Sequence, residues 1–295
     1  MSARTTTLDG TLPATALVGG VALTVLDLRR AIRFYENVIG LTVRQQASGS
    51  ASLGTADREL VRLVEEPAAR RATRHHAGMY HFCLLFESRE DLANVVARVI
   101  RARVPVDGAS DHHTHEALYL PDPDGNGIEL AWDRPRQDWP GESAAEWFGL
   151  GIAPLDADGL LALVRDGNPT ARAGDGLRIG HVHLHVSSLE ESIAFYVDAL
   201  GFDLQVELGG TAVFVSAGGY HHHVGFNIWR GNGVAPAPAP ESVAGLREWT
   251  LRVGDSQQLD AVRERLSAGG YSYKDQGTSL IAADPAGIRV RVAAD

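Results

Sequence analysis

The chain has 295 residues, 44% of them apolar and 22% charged, and carries a formal net charge of −10. This balance fits a globular protein with ample core and argues against nucleic acid or anionic lipid as a partner. No run approaches the ~18 apolar residues of a spanning helix, and the opening "MSARTTTLDG" lacks the apolar core of a signal peptide, so a cytoplasmic protein is expected.

In chain order, "VALTV" alternates apolar and polar residues and predicts a strand. "DLRRAIRFYENVIG" places apolar residues at helical spacing and ends at Gly40. Short strands follow at "LTVRQQ", "SASLG" and "ELVRLVEE". The order restarts with "YHFCLLF" as strand, where the single cysteine, Cys83, reads as a buried small hydrophobe. "REDLANVVARVIRARV" is then a helix, and "EALYLPD" and "GIELAWD" are strands. Residues 134–176 mix proline, glycine and charge around the short helical run "LDADGLLALV" and read as a linker. A third module follows with "HVHLHV", "LEESIAFYVDALG", "DLQVEL", "AVFVSAG" and "HHVGFNIW". A fourth has "LREWTLRV", "SQQLDAVRERLSAGG", "SLIAAD" and "IRVRVAA". Between them, "GNGVAPAPAPE" is a proline-rich loop that cannot enter a sheet interior.

The halves are related. "VALTVLDLRRAIRFYENVIGL" and "VHLHVSSLEESIAFYVDALGF" share eight of 21 positions at an offset of 161, and "DPDGNGIEL" and "DPAGIRVRV" lie 162 apart. Two distant echoes at nearly one offset imply a duplicated unit. The expected organisation is a tail over 1–16, a first unit over 17–133, the linker, and a second unit over 177–295. Each unit has two βαβββ modules.

A first strand opening with a ligand position, then D-L-x-x-x-x-x-F-Y-x-x-x-x-G, then D-P-D-G-x-x-I-E, resembles the vicinal oxygen chelate superfamily of glyoxalase I, extradiol dioxygenases and bleomycin-resistance proteins. The four-module layout is most similar to bacterial catechol-2,3-dioxygenase-like proteins. The resemblance implies an α+β fold whose modules form cupped mixed sheets around a divalent metal, with ligands on first and last strands. Its register singles out Gly20, His81, His181 and Glu248 on first strands, and Glu129 and Arg291 on last strands. Gly20 has no donor and Arg291 has the wrong charge. The metal set is therefore expected to be His81, Glu129 and His181, assembled from modules two and three within one chain or between chains. His183 and His185 share a strand face with His181 and stay open as replacements for it.

The strand-end "HHHVGF" matches a family pattern that makes His222 an acid–base residue, with His221 and His223 on the opposite strand face. Tyr119 and, more loosely, His112 occupy family positions that touch substrate; His113 and His115 have no assigned role. The resemblance implies an extradiol ring-cleaving dioxygenase using Fe(II), with Mn(II) suited to the same donors. Its substrates would be a small aromatic diol, of catechol or hydroquinone type, and O2. A homo-oligomer is compatible with it. The rivals are a glyoxalase-type metal-dependent isomerase or lyase, and a metal-free binding protein of the bleomycin-resistance kind.

Overall fold

The computed structural model describes residues 12–164 and 172–294; positions 1–11 of the expected tail and 165–171 of the expected linker lie outside the described residues. Module one comprises β1 (Leu17–Val25), α1 (Leu28–Phe34), β2 (Thr42–Ala47), β3 (Ser50–Gly54) and β4 (Glu59–Glu65). Module two comprises β5 (Gly78–Phe86), α2 (Arg89–Arg101), β6 (Gly108–Asp111), β7 (His115–Pro121) and β8 (Gly127–Asp133). The connection holds α3 (Ala144–Gly149), β9 (Ala153–Pro154) and α4 (Ala157–Leu161). Module three comprises β10 (Arg178–His185), α5 (Leu189–Ile193), β11 (Asp203–Leu208), β12 (Ala212–Ser216) and β13 (Val224–Asn227). Module four comprises β14 (Gly245–Arg252), α6 (Ser256–Ala268), β15 (Tyr273–Asp275), β16 (Ser279–Ala283) and β17 (Arg289–Ala293). Among the described residues, no helix is long and apolar enough to cross a membrane.

The same local devices recur in every module. Asp27, Ser88, Ser188 and Asp255 each cap a helix by accepting from the backbone N–H three residues on. The helices of modules one and three end in π turns at Tyr35–Ile39 and Ala194–Ala199, and Gly40 and Gly201 leave them at φ 93°. Arg98 and Arg265, from the next module's helix, donate to the carbonyls of those turns. An added Cβ at Gly40 or Gly201 would meet their guanidinium nitrogens at 2.8 and 2.7 Å, so glycine is needed there for space as well as for its positive φ. The two sequence echoes also touch each other. The buried Tyr35 phenol donates to Asp122 at 3.1 Å, and Tyr196 donates to Asp284 at 2.8 Å.

Modules pair through their first strands, β1 with β14 and β5 with β10, both antiparallel. Modules one and four form an eight-stranded mixed sheet in the order β15-β16-β17-β14-β1-β4-β3-β2. Modules two and three form a nine-stranded one, β11-β12-β13-β10-β5-β8-β7-β6-β9. Each sheet thus takes strands from both repeats. A continuous apolar core contains side chains of both sheets. Phe82, Leu84 and Phe86 of β5, and Val182 and Leu184 of β10, point into it. Alternation leaves His81, Cys83 and Leu85, and His181, His183 and His185, on the other face of the nine-stranded sheet.

Two expectations need correction. The strand expected from "HHVGFNIW" is paired only over Val224–Asn227. The chain before it turns through Gly218 and Gly219 at φ 64° and 72°, so residues 221–223 do not alternate as strand neighbours would. The described part of the expected linker is more than a connection: its helical run is α4, and β9 extends the nine-stranded sheet by pairing with β6.

Candidate metal centre and its cavity

The site lies where β10, β5, β8 and β7 run side by side. Phe82 and Leu84 of β5 face Val182 and Ile179 of β10, so Gly180 and His181 together oppose Cys83 alone. This is a β-bulge, which re-aims the side chain it carries. Gly180 permits the close approach, since a Cβ there would sit 3.2 Å from Cys83 Sγ. Glu129 on β8 is paired to Cys83 on one side and Tyr119 on the other. His181 Nε2 and His81 Nε2 each lie 2.9 Å from Glu129 Oε2, and 3.3 Å from each other. All three residues are buried.

The donor set fits a divalent cation. Donors about 2.1 Å from an ion and at right angles to one another lie about 3.0 Å apart, and the three observed edges are 2.9, 2.9 and 3.3 Å. Two imidazoles and a carboxylate on one face leave the opposite face free, the arrangement suited to non-heme Fe(II). Burial acts to raise the Glu129 carboxyl, but His181, His115 and His81 around it prevail and hold it well below the carboxylate range. Burial lowers His81, against the pull of Glu129. Both groups are thus in their metal-binding protonation states at neutral pH.

The neighbouring histidines divide into roles by their partners. His183 Nε2 accepts from the Asn227 amide at 2.9 Å, while His185 Nδ1 donates to the Asn227 carbonyl oxygen at 2.8 Å. One asparagine therefore ties down both residues left open as replacements for His181. His222 packs on His181 with ring centroids 4.1 Å apart. Its Nδ1 is 2.8 Å from His221 Nδ1, His221 Nε2 is 3.1 Å from Asp133 Oδ1, and the Tyr220 phenol donates to Asp133 Oδ2 at 2.8 Å. Burial, reinforced by His181 and His221, keeps His222 well below the usual histidine range; His221 is lowered to about 4 by burial against the pull of Asp133. Both rings are neutral near pH 7. His223 points elsewhere, its Nδ1 accepting from the Ala217 N–H. His112 Nε2 lies 2.8 Å from the Tyr119 hydroxyl. Burial lowers His112 to about 3, while burial and Glu129 raise Tyr119, so the phenol stays protonated.

These groups open into a cavity of about 500 Å³. Its walls include Phe214 and Leu208 from module three and Trp147, Phe148 and Ile152 from the connection. The contribution of the connection is not visible in its composition, although the aromatic run "EWFGLGI" is unusual for an exposed linker. His113, at φ 66°, is not among the lining residues, but His115 is. The His115 ring stacks between His112 and His221, and its Nε2 is 3.3 Å from Glu129 Oε1. The signal for it was period two, since His115, Ala117 and Tyr119 share a strand face. The same rule puts Asp133 on the face of Glu129. In the eight-stranded sheet, Arg291 Nε donates to Glu248 Oε1 at 2.7 Å. A Cβ at Gly20 would sit 3.1 Å from the Leu60 carbonyl oxygen, and Gly20, Glu248 and Arg291 line a separate cavity of about 540 Å³. Among the described residues, two groups of three donors lie close enough to hold an ion, His81–Glu129–His181 and His115–Asp133–His221, and neither belongs to the eight-stranded sheet.

The model of the Glyoxalase/Bleomycin resistance protein/Dioxygenase superfamily matches residues 17–130 and 178–292. The chain is 41% identical over 272 residues to the catechol-2,3-dioxygenase of Bacillus subtilis (strain 168), covering 91% of this chain and 93% of that protein. Among solved structures, the cppA protein of Streptococcus pneumoniae TIGR4 aligns over 95% of this chain and 99% of its own, at 10% identity and a TM-score of 0.60. Glyoxalase I of Zea mays aligns over 95% and 92%, at 18% identity and a TM-score of 0.57. The two structural likenesses bear on the fold alone.

Proposed function

The chain belongs to the Glyoxalase/Bleomycin resistance protein/Dioxygenase superfamily, and we propose that within it this protein is an extradiol dioxygenase, opening the ring of a catechol-type diol with O2. The observation that carries the reading is the triangle of His81, Glu129 and His181 donors, of which His81 and Glu129 line a cavity that also presents His222 and Tyr119. The metal would be held by these three residues, as Fe(II). Bound there, the ion supplies the redox chemistry that joins a chelated diol to dioxygen. Both oxygen atoms end in the product, a hydroxymuconic semialdehyde-type chain broken beside the diol.

The protein's own groups manage protons and water. Asp133, which accepts from the Tyr220 phenol, also accepts from His221 Nε2–H. A neutral His221 then has a bare Nδ1, which accepts from His222 Nδ1–H. That leaves the lone pair of His222 on Nε2, the nitrogen available to take a proton from a diol hydroxyl and to return it later. Burial keeps His222 uncharged and ready to accept. Tyr119, oriented by His112, offers a phenol to charge developing on a substrate oxygen. Trp147, Phe148 and Phe214 keep bulk water from the reacting groups.

The test is anaerobic loading with Fe(II), then mixing with catechol and O2 while following oxygen uptake and the absorbance of the conjugated product. Stoichiometric uptake that needs the metal supports the reading. Isomerisation of a hemithioacetal without oxygen uptake would assign the chain to the glyoxalase chemistry of the superfamily. Tight binding of an aromatic ligand by metal-free protein, with no turnover, would assign it to sequestration.

A further inference from the structure

The cavity wall changes character between floor and rim. At the floor stand His81 and Glu129 of the metal donors, His222 and the Tyr119–His112 pair. Towards the mouth, Tyr80 packs on His81 with ring centroids 4.9 Å apart, and Trp229 meets Tyr80 edge to face at 5.5 Å. His183, 5.3 Å from both Tyr80 and Trp229 and 5.5 Å from Phe214, carries the wall on to Phe214, which meets His222 at 4.9 Å and Phe148 at 4.6 Å. Three large apolar lining residues at the rim stay open to water: Tyr80 is 43% exposed, Trp229 53% and Ile152 68%. An apolar set rimming a concave polar floor is what a bound apolar group covers.

Charge gives the second half of the argument. Among the described residues that line the cavity there is no lysine or arginine, and Asp107 adds a carboxylate at the exposed edge. A substrate carboxylate brought against these walls would lose water without gaining a cation, and would face Asp107. Building on the extradiol reading, we infer that the substrate is an uncharged catechol bearing an apolar alkyl or aryl substituent, which lies between Tyr80, Trp229 and Ile152. Carboxylated catechols are disfavoured, because no lysine or arginine among the described residues lines the cavity to pair their charge. Trp229, Tyr80 and Ile152 then set specificity for the substituent.

The experiment is anaerobic calorimetry on the Fe(II)-loaded protein, so that binding is read without turnover. The ligands are catechol, 4-ethylcatechol, 4-butylcatechol, 3,4-dihydroxybenzoate and 4-(2-aminoethyl)catechol. Each of the first few methylenes should tighten binding by about fourfold, and the carboxylate should bind at least about tenfold more weakly than catechol. Trp229→Ala and Ile152→Ala should flatten the chain-length dependence. A flat series in the wild-type protein overturns the inference, as does a carboxylate or amine that binds better than 4-ethylcatechol, and either result leaves the extradiol reading standing. Failure of the metal-loaded protein to bind any catechol overturns the extradiol reading itself.

Discussion

Replacing Asp133 with asparagine should slow turnover without disturbing the metal, because it reverses the direction of a hydrogen-bond chain. In the wild-type protein the carboxylate accepts twice, from the Tyr220 phenol and from His221 Nε2–H. An asparagine satisfies both neighbours best by accepting from Tyr220 and donating to His221 Nε2. His221 must then carry its proton on Nδ1 and donate to His222 Nδ1, and His222 is left protonated on Nε2, the wrong tautomer for a base. Turning the amide over restores the useful tautomer but leaves the Tyr220 phenol without an acceptor. At this partly buried site that costs about 1–2 kcal/mol, so the competent form falls to a minority and kcat drops by about 5- to 30-fold. Tyr220→Phe alone should cost less than about threefold. The double variant removes the reason for the amide to choose the wrong orientation, and should recover most of the loss. Steady-state kinetics and metal analysis on anaerobically reconstituted protein decide the matter. A double variant as slow as Asp133→Asn, or metal loss in Asp133→Asn, would refute the chain of acceptors.

The remaining predictions concern the donors and the buried histidines. His81→Ala, Glu129→Ala and His181→Ala should each release the metal on dialysis, read by elemental analysis. His222→Ala should retain it and lose about 10²- to 10⁴-fold in kcat. One metal per chain is expected, because Arg291 and Glu248 satisfy each other in the eight-stranded sheet and Asp133 and His221 are already joined in the hydrogen-bond chain to His222; a second tightly bound ion would overturn this. The metal-free protein should lose stability in acid. Burial depresses His221 to about 4 and His223 to about 3, from 6.5. The unfolded chain takes up these protons as pH falls through 6.5, while the folded protein does so only near 4 and below. Their contribution is therefore complete above pH 6.5 and shrinks below it, by on the order of 2 kcal/mol per histidine at pH 5. A melting temperature that does not change between pH 7.5 and 5 would contradict this.

The modules are legible in the sequence because strand and helix periods are local, and so are the caps at Asp27, Ser88, Ser188 and Asp255. The donor candidates are legible too, since Gly20 and Arg291 lack the chemistry that His81, Glu129 and His181 have. Only the tertiary structure decides what depends on chain reversal. The paired glycines 218 and 219 turn the chain just before the expected strand, whose first residues do not pair, and His221 comes beside His222 rather than opposite it. The connection returns over the nine-stranded sheet, because its aromatic residues find apolar cover there against Phe214, and becomes a cavity wall. Asp133 and Tyr220 meet across 87 residues, a partnership no local pattern encodes. Hydrophobic period specifies which face of an element is buried. Which polar groups then meet on the opposite face is fixed by strand register, by the bulge at Gly180–His181, and by the pairing of β5 with β10.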